Sequence, residues 1–115
     1  MKYNSDFRYD LKVGQLGEQK LNDILCNKKI EVKKDLQYKD TKNIYVEYLS
    51  RNKKSGLSTT EADWYAFILD TNKIFLIDTK ELKKICRKKL NTKYDINGGD
   101  SNTSKGICLP LKELI

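Results

Sequence analysis

Apolar residues recur every three or four positions from Asp10 to Asn27, at Val13, Leu16, Leu21, Ile24 and Leu25, which predicts an amphipathic helix. Gly14 and Gly17 lie within it, where small residues let a helix approach a sheet closely. Two runs of alternating β-branched and aromatic residues follow, Lys29 to Asp35 and Asn43 to Arg51. The polar link LQYKDTK between them is short enough to make them antiparallel neighbours. After the basic loop NKKSGL, the segment STTEAD offers hydroxyl caps and then acids, predicting a short helix that begins near Thr59 or Thr60. WYAFILDTNKIFLIDT reads as a buried hairpin turning at Asp70, Thr71, Asn72 and Lys73. Helical spacing resumes from Thr79 to Asn91 through Leu82, Ile85, Cys86 and Leu90, with Lys and Arg near the C-terminal end of the dipole. A polar loop, TKYDINGGDSNTSK, leads to a last strand, GICLPL, whose Pro110 suits a strand end.

The resulting order is α-β-β-α-β-β-α-β, an α/β arrangement in which helices flank one mixed sheet. With 115 residues, no internal repeat and one proline, residues 1–115 read as a single domain. No apolar run approaches the roughly 20 residues of a membrane span, and the N-terminus has no signal-like apolar segment, so a cytoplasmic location is expected.

Charge sharpens the functional side. The chain carries 23 basic residues against 16 acids, a net +7, and 20 of the basic residues are lysine. That excess favours a phosphate backbone as partner, and lysine supplies point charge with little base reading. There is no histidine, which removes Ser-His-Asp and Cys-His catalysis and His-ligated zinc. Cys26, Cys86 and Cys108 lie far apart in apolar stretches without CxxC spacing, which reads as buried, reduced thiols and argues against a disulfide framework and a zinc site. Hydrolytic chemistry would therefore rest on carboxylates, lysine or tyrosine.

Three acids stand out. Glu18 borders the apolar stripe of the first helix, Asp35 closes the first strand, and Glu47 lies inside the second between Val46 and Tyr48. An unpaired carboxylate in such a strand is costly, so Glu47 calls for a partner: a cation, or a cross-strand lysine. Two carboxylates brought side by side repel one another unless a hard divalent cation sits between them.

A glutamate in the helix GEQKLNDIL, an aspartate ending one strand and a glutamate in the next resemble the PD-(D/E)xK nuclease superfamily, whose fold is restriction-endonuclease-like. NIYVEYLSRNKKSGLSTTEADWYAFIL looks like the second core strand, basic loop and short helix of its small phage-type members, and GGDSNTS looks like a further part of that pattern. The resemblance implies a DNA endonuclease of low sequence specificity, working in a host cytoplasm if phage-encoded. Asp35 and Glu47 would coordinate Mg2+ or Mn2+ with the Tyr48 carbonyl, and Glu18 would contribute directly or through water. Lys53, Lys54, Ser55, Asn102, Ser104 and Lys105 would contact the nucleic acid. Cutting both strands with one metal site per chain would call for a homodimer.

One position departs from the pattern. Two residues after the strand glutamate the family usually carries lysine, and this chain has Leu49. Lys33, Lys53 and Lys105 are the candidates to replace it, with Lys33 preferred because period-two alternation sets it on the face of Asp35. The alternative is a nuclease-like chain of weak or absent activity that binds nucleic acid or a protein partner.

Overall fold

A computed structural model describes residue 19, residues 21–34 and residues 38–114. Two sheets share one core. The first holds β1 (Ile30–Lys34), β4 (Trp64–Asp70) and β5 (Lys73–Asp78) in the order β1-β4-β5. The second holds β2 (Asn43–Ser50), β3 (Lys53–Lys54), β6 (Asp95–Gly98) and β7 (Ser104–Pro110) in the order β3-β2-β7-β6. Helix α1 (Tyr38–Thr41) bridges β1 to β2, and α2 (Thr79–Lys89) follows β5.

The expected order and the single mixed sheet are both corrected. β1 and β2 are not neighbours: β1 pairs parallel with β4, from Ile30 opposite Trp64 to Lys34 opposite Ile68, whereas β2 runs antiparallel to β7 and β3. The reason lies in β4. Tyr65, Ala66, Phe67 and Leu69 are all buried, so this strand is apolar on both faces and belongs at the centre of a sheet, with β1 on one edge and β5 on the other. α1 occupies the link that was read as a plain polar connection and carries the chain into the second sheet.

STTEAD is not a helix either. Only a 3-10 turn, Gly56–Ser58, reaches its first residue, and its capping groups serve other donors. The Thr60 hydroxyl accepts from the Ala62 amide, and the Asp63 carboxylate accepts from the Lys29 amide at 2.9 Å. The Asp63 amide in turn donates to the Lys29 carbonyl at 2.8 Å, so the two residues clasp the start of β1 onto the start of β4. The polar loop after α2 contains an unexpected strand, β6. Of the first helix, residues 19 and 21–25 are helical and the rest of 10–27 lies outside the described residues.

The hairpin and the late helix follow the expectation. β4 and β5 pair antiparallel across a turn from Asp70 to Lys73. α2 starts at the Asp78 cap, whose carboxylate accepts from the Lys80 and Glu81 amides and so satisfies two donors of the first turn. Leu82 and Cys86 of α2 enter the core with Ile44 and Val46 of β2, Tyr65 and Phe67 of β4, and Ile107 and Leu109 of β7. Among the described residues, no helix is long and apolar enough to cross a membrane.

Candidate nucleic-acid and metal site

Register in the second sheet decides which side chains can meet. Val46 stands opposite Ile107, both in the core, so Glu47, opposite Gly106, faces the other way. The ladder then breaks: Leu49 stands opposite Lys105, and Tyr48 is the extra residue of a β-bulge. Lys105 and Gly106 are adjacent on β7 and point to opposite faces, so Leu49 lies on the face away from Glu47. The two-residue rule that made position 49 the place for a lysine therefore fails here. Ser50, opposite Ser104 and Lys53, is the next residue on the face of Glu47.

That face is built from short polar links. The Ser55 hydroxyl donates to Glu47 Oε2 at 2.9 Å, which is the partner the fold supplies to this strand glutamate. Ser55 is held close because Gly56, at φ +50°, packs its backbone on the Glu47 carbonyl; an added Cβ would overlap that oxygen. The Tyr45 and Ser104 hydroxyls lie 2.8 Å apart, and the Tyr45 ring lies across Gly98 and Gly106. Burial pushes the Tyr45 phenol up; the Ser104 bond opposes that rise, and the Glu47 carboxylate adds to it. A two-residue turn, Arg51 and Asn52 at φ 51° and 66°, returns the chain as β3 and brings Lys53 opposite Ser50.

On the opposite face the bulge residue Tyr48 donates to Asp95 Oδ1 at 2.6 Å, while the Asn91 amide donates to Oδ2 at 2.9 Å. Burial would raise the Asp95 carboxyl, but the two hydrogen bonds and the Lys105 charge outweigh it and hold the group below its ordinary value. The Tyr48 phenol is pushed up to about 12, by burial first and then by its bond to Asp95.

Beside the Glu47 face a cleft of about 770 Å³ opens between the two sheets. Lys33 and Lys34 of β1 border one side, Asn43 and Tyr45 of β2 the floor, and Gly99 and Asn102 the other side. Lys33 stands opposite the buried Phe67, and its ammonium lies 3.7 Å from Glu31 in an exposed pair.

The residues singled out in the sequence thus divide. Glu47, Ser55 and Lys53 share one face, and Lys33 and Asn102 border the adjacent cleft. Lys54 and Lys105 flank Leu49 on the other face. Ser104 is 3% exposed and holds Tyr45, so it supports the face from beneath. The Tyr48 carbonyl accepts from the Ser55 amide at 3.1 Å and the Ser58 hydroxyl at 2.8 Å, which engages both of its lone pairs. Glu18 and Asp35 lie outside the described residues. Among the described residues no three His, Cys, Asp or Glu side chains gather as a metal would require. Sequence reasoning missed the Tyr45–Ser104 pair and the Tyr48–Asp95 bond. Glycine at 98 and 106 was the available signal for the first, since each leaves room for a ring. Comparison with protein-family models, curated proteins and solved structures found no match.

Proposed function

We propose that this chain is a metal-dependent endonuclease that hydrolyses DNA phosphodiesters on the Glu47 face, with the strand lying in the adjoining cleft. The observation that carries the reading is the adjacency of a fixed carboxylate to a wide cleft bordered by lysines: Glu47 held by Ser55, next to a cleft of about 770 Å³ with Lys33 and Lys34 on its margin. A groove of that breadth with one cationic margin suits a phosphate backbone.

The donor chemistry fits a hard cation in kind. Glu47 offers a carboxylate whose Oε2 is oriented by Ser55, Asp35 follows β1 directly, and Glu18 would be the third oxygen donor. The Tyr48 carbonyl is left out of this set because its lone pairs are engaged. Bound Mg2+ or Mn2+ would polarise the scissile phosphate and lower the pKa of a water molecule. The protein's own task is then to orient Glu47 and to bring an ammonium to the developing negative charge. Lys53 is the better candidate for that ammonium than Lys33, since the register sets it on the face of Glu47 through Ser50.

The test is nicking of supercoiled plasmid by wild type, Glu47→Ala, Lys53→Ala and Lys33→Ala with Mg2+, Mn2+ or EDTA. Loss of nicking in EDTA and in Glu47→Ala, with Lys53→Ala slower than Lys33→Ala, is the expected pattern. Plasmid left intact under both metals, or cut equally well by Glu47→Ala, would overturn the reading. The Tyr48 carbonyl, engaged twice and so withheld from a cation, favours a second reading, in which the cleft binds DNA without cutting it. DNA binding without nicking would select it.

A further inference from the structure

A second basic surface lies on α2, whose side chains pack under the core face of the second sheet and border neither Glu47 nor the cleft. The helix carries Lys80, Lys83, Lys84, Arg87, Lys88 and Lys89 against a single acid, Glu81. That is more positive charge than a helix C-terminus needs, because the dipole acts only over the last turn and Lys80, Lys83 and Lys84 precede it. Lys80, Lys84, Arg87 and Lys88 are exposed, and their spacing of three, four or one residues keeps them on one side of the helix. Lys89 is committed to Glu113 at 3.3 Å and to the Tyr94 ring. The other five basic residues have no ion pair among the described residues; Lys80 and Lys83 also border a pocket that holds Glu61, Asp63 and Asp78, whereas Arg87 and Lys88 do not.

The stripe also has a seat. Lys83 and Arg87, one turn apart, border a pocket of about 260 Å³ whose floor is formed by the buried Leu57, Cys86 and Ile107. Burial pushes the Cys86 thiol up to about 12, so the floor carries no negative charge to repel an anion. From residue 80 to residue 88 the helix rises about 12 Å, which is roughly the rise of three to four nucleotides along one strand.

We infer that α2 is a second phosphate-binding surface, along which the backbone of a nucleic acid lies with one phosphate between Lys83 and Arg87. The inference rests on the proposed function for the identity of the polyanion and extends it to a side of the molecule that the cleft does not reach. Lysine and arginine without base-facing partners predict binding that is strongly salt-dependent and indifferent to sequence.

The test is fluorescence anisotropy of a short labelled duplex in EDTA, across a salt series, with wild type, Lys83→Gln/Arg87→Gln and the control Lys29→Gln/Lys73→Gln. Both double variants remove the same charge, and circular dichroism establishes that each is folded. The α2 pair is expected to weaken binding about tenfold and to make the log–log salt slope shallower by about 1.8, the release expected for two lost phosphate contacts. The control is expected to change the slope by less than half as much. Equal losses in the two variants, an unchanged α2 variant, or a wild type that does not bind would each overturn the inference. Nicking by the same variants with Mg2+ at low salt separates the two ideas. If Glu47→Ala stops nicking while the α2 pair binds like wild type, the endonuclease stands and the α2 surface falls. If the α2 pair loses binding in a wild-type background that never nicks, the reverse holds.

Discussion

The two faces of the four-stranded sheet use the same strands to opposite ends. One face is filled by Ile44, Val46, Ile107 and Leu109 and closed by the Tyr48–Asp95 bond. The other is a set of short polar links, Ser55 to Glu47 and Tyr45 to Ser104, over two glycines. The bulge at Tyr48 separates them by sending two successive residues to the core side. A single inserted position therefore decides which side chains accompany Glu47, and counting residues along the strand does not.

Loss of the packed face should have the largest effect. Ile107→Ala, at a residue 1% exposed, is expected to cost about 2–5 kcal/mol in urea unfolding through lost burial and a residual cavity. It should leave the Ser55–Glu47 contact in place, so a comparable loss of metal-dependent nicking per folded molecule would break the separation of the faces. Gly106→Ala attacks the other face. An added Cβ would stand 2.5 Å from the Tyr45 ring and 2.7 Å from the Val46 carbonyl, and overpacking of this kind costs about 1–3 kcal/mol. Tyr45→Ala in the same background is expected to recover part of that loss, and its failure to do so would place the clash with the backbone alone.

Tyr48→Phe comes next, at about 1.5–2 kcal/mol, the lower part of the range for a hydrogen bond to a charged group because this one is only partly buried. Its pH dependence has a defined sign. The Asp95 carboxyl is held below its ordinary 3.8, so its contribution is complete above that value and is lost as pH falls through the lower native value. The Tyr48 phenol is raised from 10.0 to about 12, so its contribution is complete below pH 10 and is lost as pH rises toward 12. Tyr48→Phe should remove Tyr48's share of the alkaline loss, leaving that of Tyr45 and Tyr65, and move the Asp95 titration upward, as followed by carboxyl NMR. The smallest effect is expected from Ser55→Ala, about 0.5–1 kcal/mol for a neutral donor to a partly exposed carboxylate, read by thermal unfolding. An effect as large as that of Ile107→Ala would show that Ser55 holds the loop rather than the carboxylate alone.

Legibility followed locality. The β4–β5 hairpin and α2 were readable because their signals sit inside the elements: alternation around DTNK, and Asp78 followed by helical spacing. The partners of β1 and β2 were not, because choosing between β2 and β4 as neighbour of β1 depends on which strand is apolar on both faces, a property of the whole sheet. The bulge left no mark in NIYVEYLS that distinguishes Tyr48 from its neighbours. STTEAD carried true capping groups, yet they bond across to β1 and within a turn. The α2 charges were visible, but the dipole accounts only for those near the C-terminal end, and half of the six precede the last turn. Glu18 and Asp35, central to the sequence reading, fall outside the described residues.

The parallel pairing of β1 with β4 has a consequence for the order of folding. β4 and β5 meet through a turn of a few residues, a closure of microseconds, but Ile30 finds Trp64 only after α1, β2 and β3 have been made. During synthesis β1 emerges with no partner, and Ile30 and Val32 remain 41% and 55% exposed even when folded. Lys33 and Lys34 at its end act in that interval as gatekeepers, because charge on an unpaired edge discourages pairing with another chain. Pulse-labelled hydrogen exchange is expected to protect the amides of β4 and β5 before those of β1. Simultaneous protection would mean that the sheet forms in one step and that the lysines guard nothing.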